Sequence, residues 1–77
     1  MMPATAASPE AVHEQLELHR AVVECVMKLD EPLRATLLFR YFEERSSFEI
    51  GRLMGVPAGT VRRRLKTAIE ELRRELD

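Results

Sequence analysis

The 77-residue sequence has one cysteine and two histidines. A lone Cys25 excludes an intramolecular disulfide, and with so few histidines no zinc-finger spacing exists, so neither a metal nor another cofactor is expected. No apolar run approaches the roughly 20 residues of a membrane span, and no charged-then-apolar leader is present. The chain is therefore expected to be cytoplasmic and to touch no membrane. A nucleophile beside a base, a cradle for phosphates and a cluster of carboxylates set against histidine are all missing, which argues against an enzyme. Strand-like alternation, repeats and low-complexity tracts are absent too.

What is present suits a helix-rich domain. Apolar residues make up 45% and charged residues 32%, with three glycines and four prolines. At this length there is room for one domain, near the size at which a single core is just sufficient. Cys25 stands among Val22, Val23, Val26 and Met27, the surroundings of a buried structural thiol.

A net charge of −1 argues by itself against a nucleic-acid partner. The distribution argues the other way. Residues 1–44 carry eight acids and four bases, residues 45–77 five acids and eight bases, and between Arg52 and Lys66 five bases meet no acid. Such a localised basic patch is the electrostatic footprint that DNA requires.

Periodicity and punctuation predict four helices, at 9–29, 31–43, 46–54 and 58–76, after a disordered tail over residues 1–8. Residues 9–77 are thus one all-α domain. Ser8, Pro9 and Glu10 form a helix start, and Val12, Leu16, His19, Val23 and Val26 recur at intervals of three and four as its apolar stripe. His19 is read as a packing or boundary residue, since nothing nearby completes a metal site. Asp30-Glu31-Pro32 breaks this helix and starts the next. Leu33, Leu37, Leu38, Tyr41 and Phe42 give the second helix its face. The run from Leu37 to Phe42 holds more large apolar surface than one face can bury, which makes Leu37, Leu38, Tyr41 and Phe42 candidates for a partner protein as well as for the core.

The stretch from Ser46 to Leu76 has the outline of a helix-turn-helix. Ser46 and Glu49 form a capping box at the start of its first helix, to which Phe48, Ile50, Leu53 and Met54 give an apolar stripe. Gly51 inside that helix costs roughly 0.5–1 kcal/mol relative to Ala, a cost that implies close approach of a second helix. Gly55 can enter the left-handed conformation that ends a helix, and Pro57 can open the next. Projected at about 100° per residue from Val61, Leu65, Ala68 and Leu72 fall within about 40° and Leu76 at about 60°. Gly59, Arg63, Lys66, Thr67, Glu70 and Arg74 point the opposite way, with Thr60 and Arg62 on the shoulders. Ala58, Gly59 and Thr60 are small enough for the helix end to approach a phosphate backbone closely. Arg64 lies at the border of the buried face, so its stem packs while its guanidinium reaches a carboxylate or a phosphate.

From Leu29 to Leu76 these residues resemble region 4 of bacterial RNA polymerase sigma factors, most closely the extracytoplasmic-function type. The resemblance is carried by L-D-E-P-L-R-A-T-L-L-F-R-Y-F-E and by E-I-G-R-L-M-G-V-P-A-G-T-V-R-R-R-L. It implies a sigma-region-4-type helix-turn-helix without a wing, related to winged-helix folds, that binds the −35 promoter element and docks on the flap of the polymerase β subunit. Anti-sigma factors commonly sequester such domains. Carried over by position, Ala58, Gly59, Thr60, Arg62, Arg63, Lys66 and Thr67 would face DNA, and Ser46, Ser47 and Phe48 would lie at the phosphate-contacting helix start. The chain departs from the family at Arg45-Ser46-Ser47, where Leu-Ser-Tyr is common, and at Thr67 and Ile69, where Arg is frequent. Arg63 replaces a common Ser, which shifts the expected base preference toward guanine.

Two other readings compete with promoter recognition. The same fold could serve mainly as a protein-interaction module for an anti-sigma factor or a polymerase subunit through Leu37–Phe42. It could also be the output domain of a LuxR-type response regulator, which would dimerise through its last helix, although Leu72 and Leu76 are directed to the core.

Overall fold

The computed structural model describes residues 8–77. It consists of four helices, α1 (Pro9–Lys28), α2 (Leu33–Tyr41), α3 (Ser47–Met54) and α4 (Ala58–Leu76), with no strand among the described residues. The expected tail lies outside the described residues apart from Ser8. That serine caps α1, its hydroxyl oxygen accepting a hydrogen bond from the Ala11 amide at 3.1 Å.

Helix α4 packs against each of the other three, whereas α1 and α3 make no direct contact. The core forms where α4 crosses its neighbours. Val61, Leu65 and Ala68 of α4 meet Val26 of α1, Leu37 of α2 and Ile50 of α3, with Leu29 closing the α1 end. Ile50 and Val61 are wholly enclosed. Each contributes about 1.5–3 kcal/mol through removal of its side chain from water.

The apolar stripe expected along α1 is only partly used. Val26 is buried, but Val12, Leu16 and Val23 are exposed, Leu16 at 60%. The reason is length: at 1.5 Å per residue α1 runs roughly 30 Å, about twice the reach of α2 and α3. Its N-terminal half therefore overhangs the core, and the residues that seat it are Cys25, Val26 and Leu29. Similar corrections apply at Leu53 and Leu76, expected to face inward and exposed, while Tyr41, Phe42 and Phe48, each expected on an apolar stripe and also as a surface candidate, are exposed. Of the apolar stripe of α3, Ile50 is fully enclosed and Met54 half-buried, with Gly51 buried beside Ile50, because an eight-residue helix has two turns and can present one face to α4.

Helix α2 is shorter at both ends than the expected 31–43. Pro32 stands at its N-cap with no side-chain cap bond. Glu31 takes over that role, its carboxylate accepting from the Ala35 amide at 3.0 Å and from Arg34 Nε at 3.0 Å. The same guanidinium donates through Nη1 to the Met27 carbonyl at 3.0 Å, satisfying an orphan acceptor at the end of α1. Glu31 and Arg34 thus tie the α1 exit to the α2 entry. The donors aimed at it, first the Ala35 amide and then Arg34, hold the Glu31 carboxyl below its ordinary range. At the other end Leu38 O accepts from both Phe42 and Glu43, and Glu44 takes a positive φ of 55°, which turns the chain toward α3.

Candidate nucleic-acid interface

The turn between α3 and α4 is specified by backbone chemistry. The capping box opens α3 as expected: Ser46 Oγ accepts from the Glu49 amide at 3.1 Å and Glu49 Oε1 from the Ser46 amide at 3.0 Å. Gly55 ends the helix in the left-handed region at φ 73°. The Val56 amide then donates to Gly51 O at 2.9 Å. A Cβ on Gly51 would run into the Val56 carbonyl oxygen and come within 3.4 Å of the Ala58 nitrogen. Close approach is therefore the reason for this glycine, but what approaches is the turn itself and the first residue of α4. Pro57 stands just before the helix, as the expected range 58–76 implies, at the N-cap of α4 in an extended conformation. Its carbonyl accepts from Thr60 and Val61, and no side chain caps the helix.

That leaves the N-terminus of α4 open and fringed by small residues. Gly59 is exposed, and Ala58 and Thr60 are half-buried. A Cβ on Gly59 would meet nothing nearer than Arg62 Nη2 at 4.0 Å. Arg62, Arg63, Lys66 and Thr67 are all exposed, while Val61, Leu65 and Ala68 on the other side are buried. The projection of α4 is thus realised in the fold. Thr67 Oγ1 donates to the Arg63 carbonyl at 3.1 Å, and Arg63 Nη2 lies 3.5 Å from Thr60 Oγ1, so the three side chains share one ridge of the exposed face.

The positive charge of this face is not neutralised internally. Among the described residues the ion pairs are Glu17 with Arg20, Glu31 with Arg34, and Glu43 with Arg45, and His13 Nε2 lies 3.7 Å from the Glu17 carboxylate. None involves a base of α4. The cluster therefore projects its field outward, where an anionic partner can complete it.

On α3, Ser46 is exposed and Ser47 half-buried. Ser46 Oγ accepts within the capping box, which leaves its own proton available to an outside acceptor. Phe48 is 65% exposed, with the Arg52 guanidinium 6.0 Å from its ring centroid. Arg52 was reached in the sequence only as part of the basic run. Its place beside Phe48 follows from the i, i+4 spacing on α3.

Away from this face, Leu37, Leu38, Tyr41 and Phe42 line one side of an open groove of about 300 Å³. Val22, Val23, Val26 and Met27 of α1 and Ile69 and Leu72 of α4 line the rest, together with His19. Leu37 is buried and forms floor, while Tyr41 and the 70% exposed Phe42 form rim. The stripe residues His19 and Val23 find their place here, on the groove wall.

The family model "Sigma-70, region 4" matches residues 25–74, which include the whole core cluster and all of the helix-turn-helix but the last two residues of α4. The chain belongs to the sigma-70 region 4 family. It is also 34% identical over 68 residues to the ECF RNA polymerase sigma factor SigW of Bacillus subtilis (strain 168), an alignment covering 88% of this chain and 36% of that protein. The chain thus spans about a third of the length of this relative. As a sigma-70 region 4 domain of the ECF type it belongs among regulatory DNA-binding domains, not in a known enzyme family. No described helix is long and apolar enough to cross a membrane.

Proposed function

We propose that this domain binds the −35 element of promoters in the cytoplasm as region 4 of an ECF sigma factor, with α4 in the major groove. The observation that carries this reading is the exposed, uncompensated basic face of α4 on a helix start bare of side-chain caps. Ala58, Gly59 and Thr60 let the backbone amides approach a phosphate, while Arg62, Arg63, Lys66 and Thr67 face base edges and flanking phosphates. Ser46, Ser47 and Phe48 meet the backbone at the start of α3. Selection of bound duplexes from a random pool tests the reading. It should return one consensus, and a pool that stays random after repeated rounds overturns it.

The apolar groove supports a second contact by the same domain. The exposed Tyr41 and Phe42, with the half-buried Leu38 and the buried Leu37 beneath them, lie away from the α4 reading face and offer a seat for the β flap of RNA polymerase, and an anti-sigma factor would compete for it. Phe42→Glu should abolish binding to the isolated flap while leaving the DNA consensus unchanged. If flap binding survives, the groove is not the seat. The family match is to sigma region 4, and Leu76 at the end of α4 is exposed singly, so nothing favours a LuxR-type output domain.

A further inference from the structure

Arg64 is the member of the basic run that neither the core nor the reading face accounts for. Its direction, about 60° from the core-facing Val61, turns it away from the side that would meet base edges. The residue is half-buried, as expected of a packed stem with an outward guanidinium. A guanidinium so placed calls for a carboxylate or a phosphate. Among the described residues no carboxylate lies within ion-pair distance of it.

What surrounds it instead is an open depression of about 290 Å³, lined by Arg64, Arg63, Thr60 and Thr67 of α4 and by Leu33 of α2. Two arginines and two threonines thus share its walls, and no acid does. Leu33 gives the depression one apolar wall, beside which an ionic hydrogen bond is less screened than in bulk water. Like charges brought together without a counterion are unfavourable, and a bound anion reverses the sign of the interaction.

The geometry points to a phosphate pocket between α4 and the start of α2, occupied by a phosphodiester of duplex DNA and gripped by Arg64 with Arg63 alongside. This rests on the DNA-binding reading above and extends it. The footprint gains a contact at the border of the reading face, and α2 becomes a third element at the interface beside α3 and α4. A forked guanidinium matches two phosphate oxygens.

The test uses the full chain, a duplex carrying the selected consensus and a scrambled duplex of equal length. Arg64→Gln should lower the magnitude of the log–log salt slope by about 0.9 and weaken both duplexes by the same factor. Arg64→Lys keeps the charge and should keep the slope. As a check independent of stability, each backbone phosphate in turn is replaced by a neutral methylphosphonate. One position should weaken the wild type and have no further effect on Arg64→Gln. An unchanged slope, a loss confined to one base pair, or the absence of such a position overturns the pocket. A wild type that binds both duplexes equally defeats promoter recognition instead, and the slope and methylphosphonate arms still decide the pocket on the scrambled duplex.

Discussion

A methyl group on Gly51 would overlap the carbonyl oxygen of Val56, and this contact sets how tightly α3 runs into the turn that launches α4. Gly51→Ala puts two effects in opposition. Alanine favours the helix by about 0.5–1 kcal/mol, while displacing packed backbone costs about 1–3 kcal/mol. The backbone cannot rotate aside as a side chain would, so the second effect should win. Urea unfolding of the full chain should show a lower midpoint, and a midpoint at or above that of the wild type would mean the turn yields.

Gly59 provides the converse case, because space around it is open. Gly59→Ala should raise stability by about 0.5–1 kcal/mol, the helix-propensity difference. At the same time it should weaken DNA binding, since the added methyl stands where a phosphate backbone comes close. Thermal melts and duplex titrations read the two effects separately. Higher stability with unaltered binding would show that DNA does not approach this residue.

Thr36 is the buried polar residue of the core, wholly enclosed, with Oγ1 donating to the Pro32 carbonyl at 2.7 Å. Thr36→Val keeps the volume and removes the bond. Pro32 O retains the Thr36 amide as a donor at 3.0 Å, so no acceptor is orphaned. The expected loss is about 0.5–1.5 kcal/mol, measured by denaturant unfolding. A loss well beyond that would show that the hydroxyl also matters to Met54, whose sulfur lies 3.4 Å away.

The lowered pKa of Glu31 has a defined sign in stability. A carboxyl that loses its proton more readily in the folded state than in the unfolded chain stabilises the fold above the ordinary carboxylate range. That contribution disappears as pH falls through the folded value. Glu31→Gln should therefore be less stable than the wild type near neutral pH, and the two should converge in acid. A difference that persists undiminished below the carboxylate range would assign the effect to packing.

The helix-turn-helix was legible because its determinants are local. Ser46 and Glu49 cap within one turn, Gly55 adopts the left-handed conformation that few other residues accept, and Val61, Leu65 and Ala68 repeat at the helical period. Each fact needs only neighbours along the chain. The exposed face of α4 was legible for the same reason, since a helix with one apolar side leaves its other side to solvent. The stripe of α1 was misread because periodicity gives the direction of a face and not the length over which something covers it. Val12, Leu16 and Val23 have the right spacing and stand where no neighbouring helix covers them.

Sequence alone determined the four helices, the turn at Gly55 and the concentration of uncompensated bases between Arg52 and Lys66, because capping, backbone freedom and charge are properties of residues and of their near neighbours. Tertiary structure decided the rest. It turned Phe42 and Tyr41 outward beside His19 to shape a groove, buried Thr36, linked Glu31 and Arg34 to the end of α1, and set Arg64 beside Leu33. Those outcomes depend on which helix ends meet in space. That is fixed by the short loops and by the fit of α4 against three neighbours, which no single segment encodes.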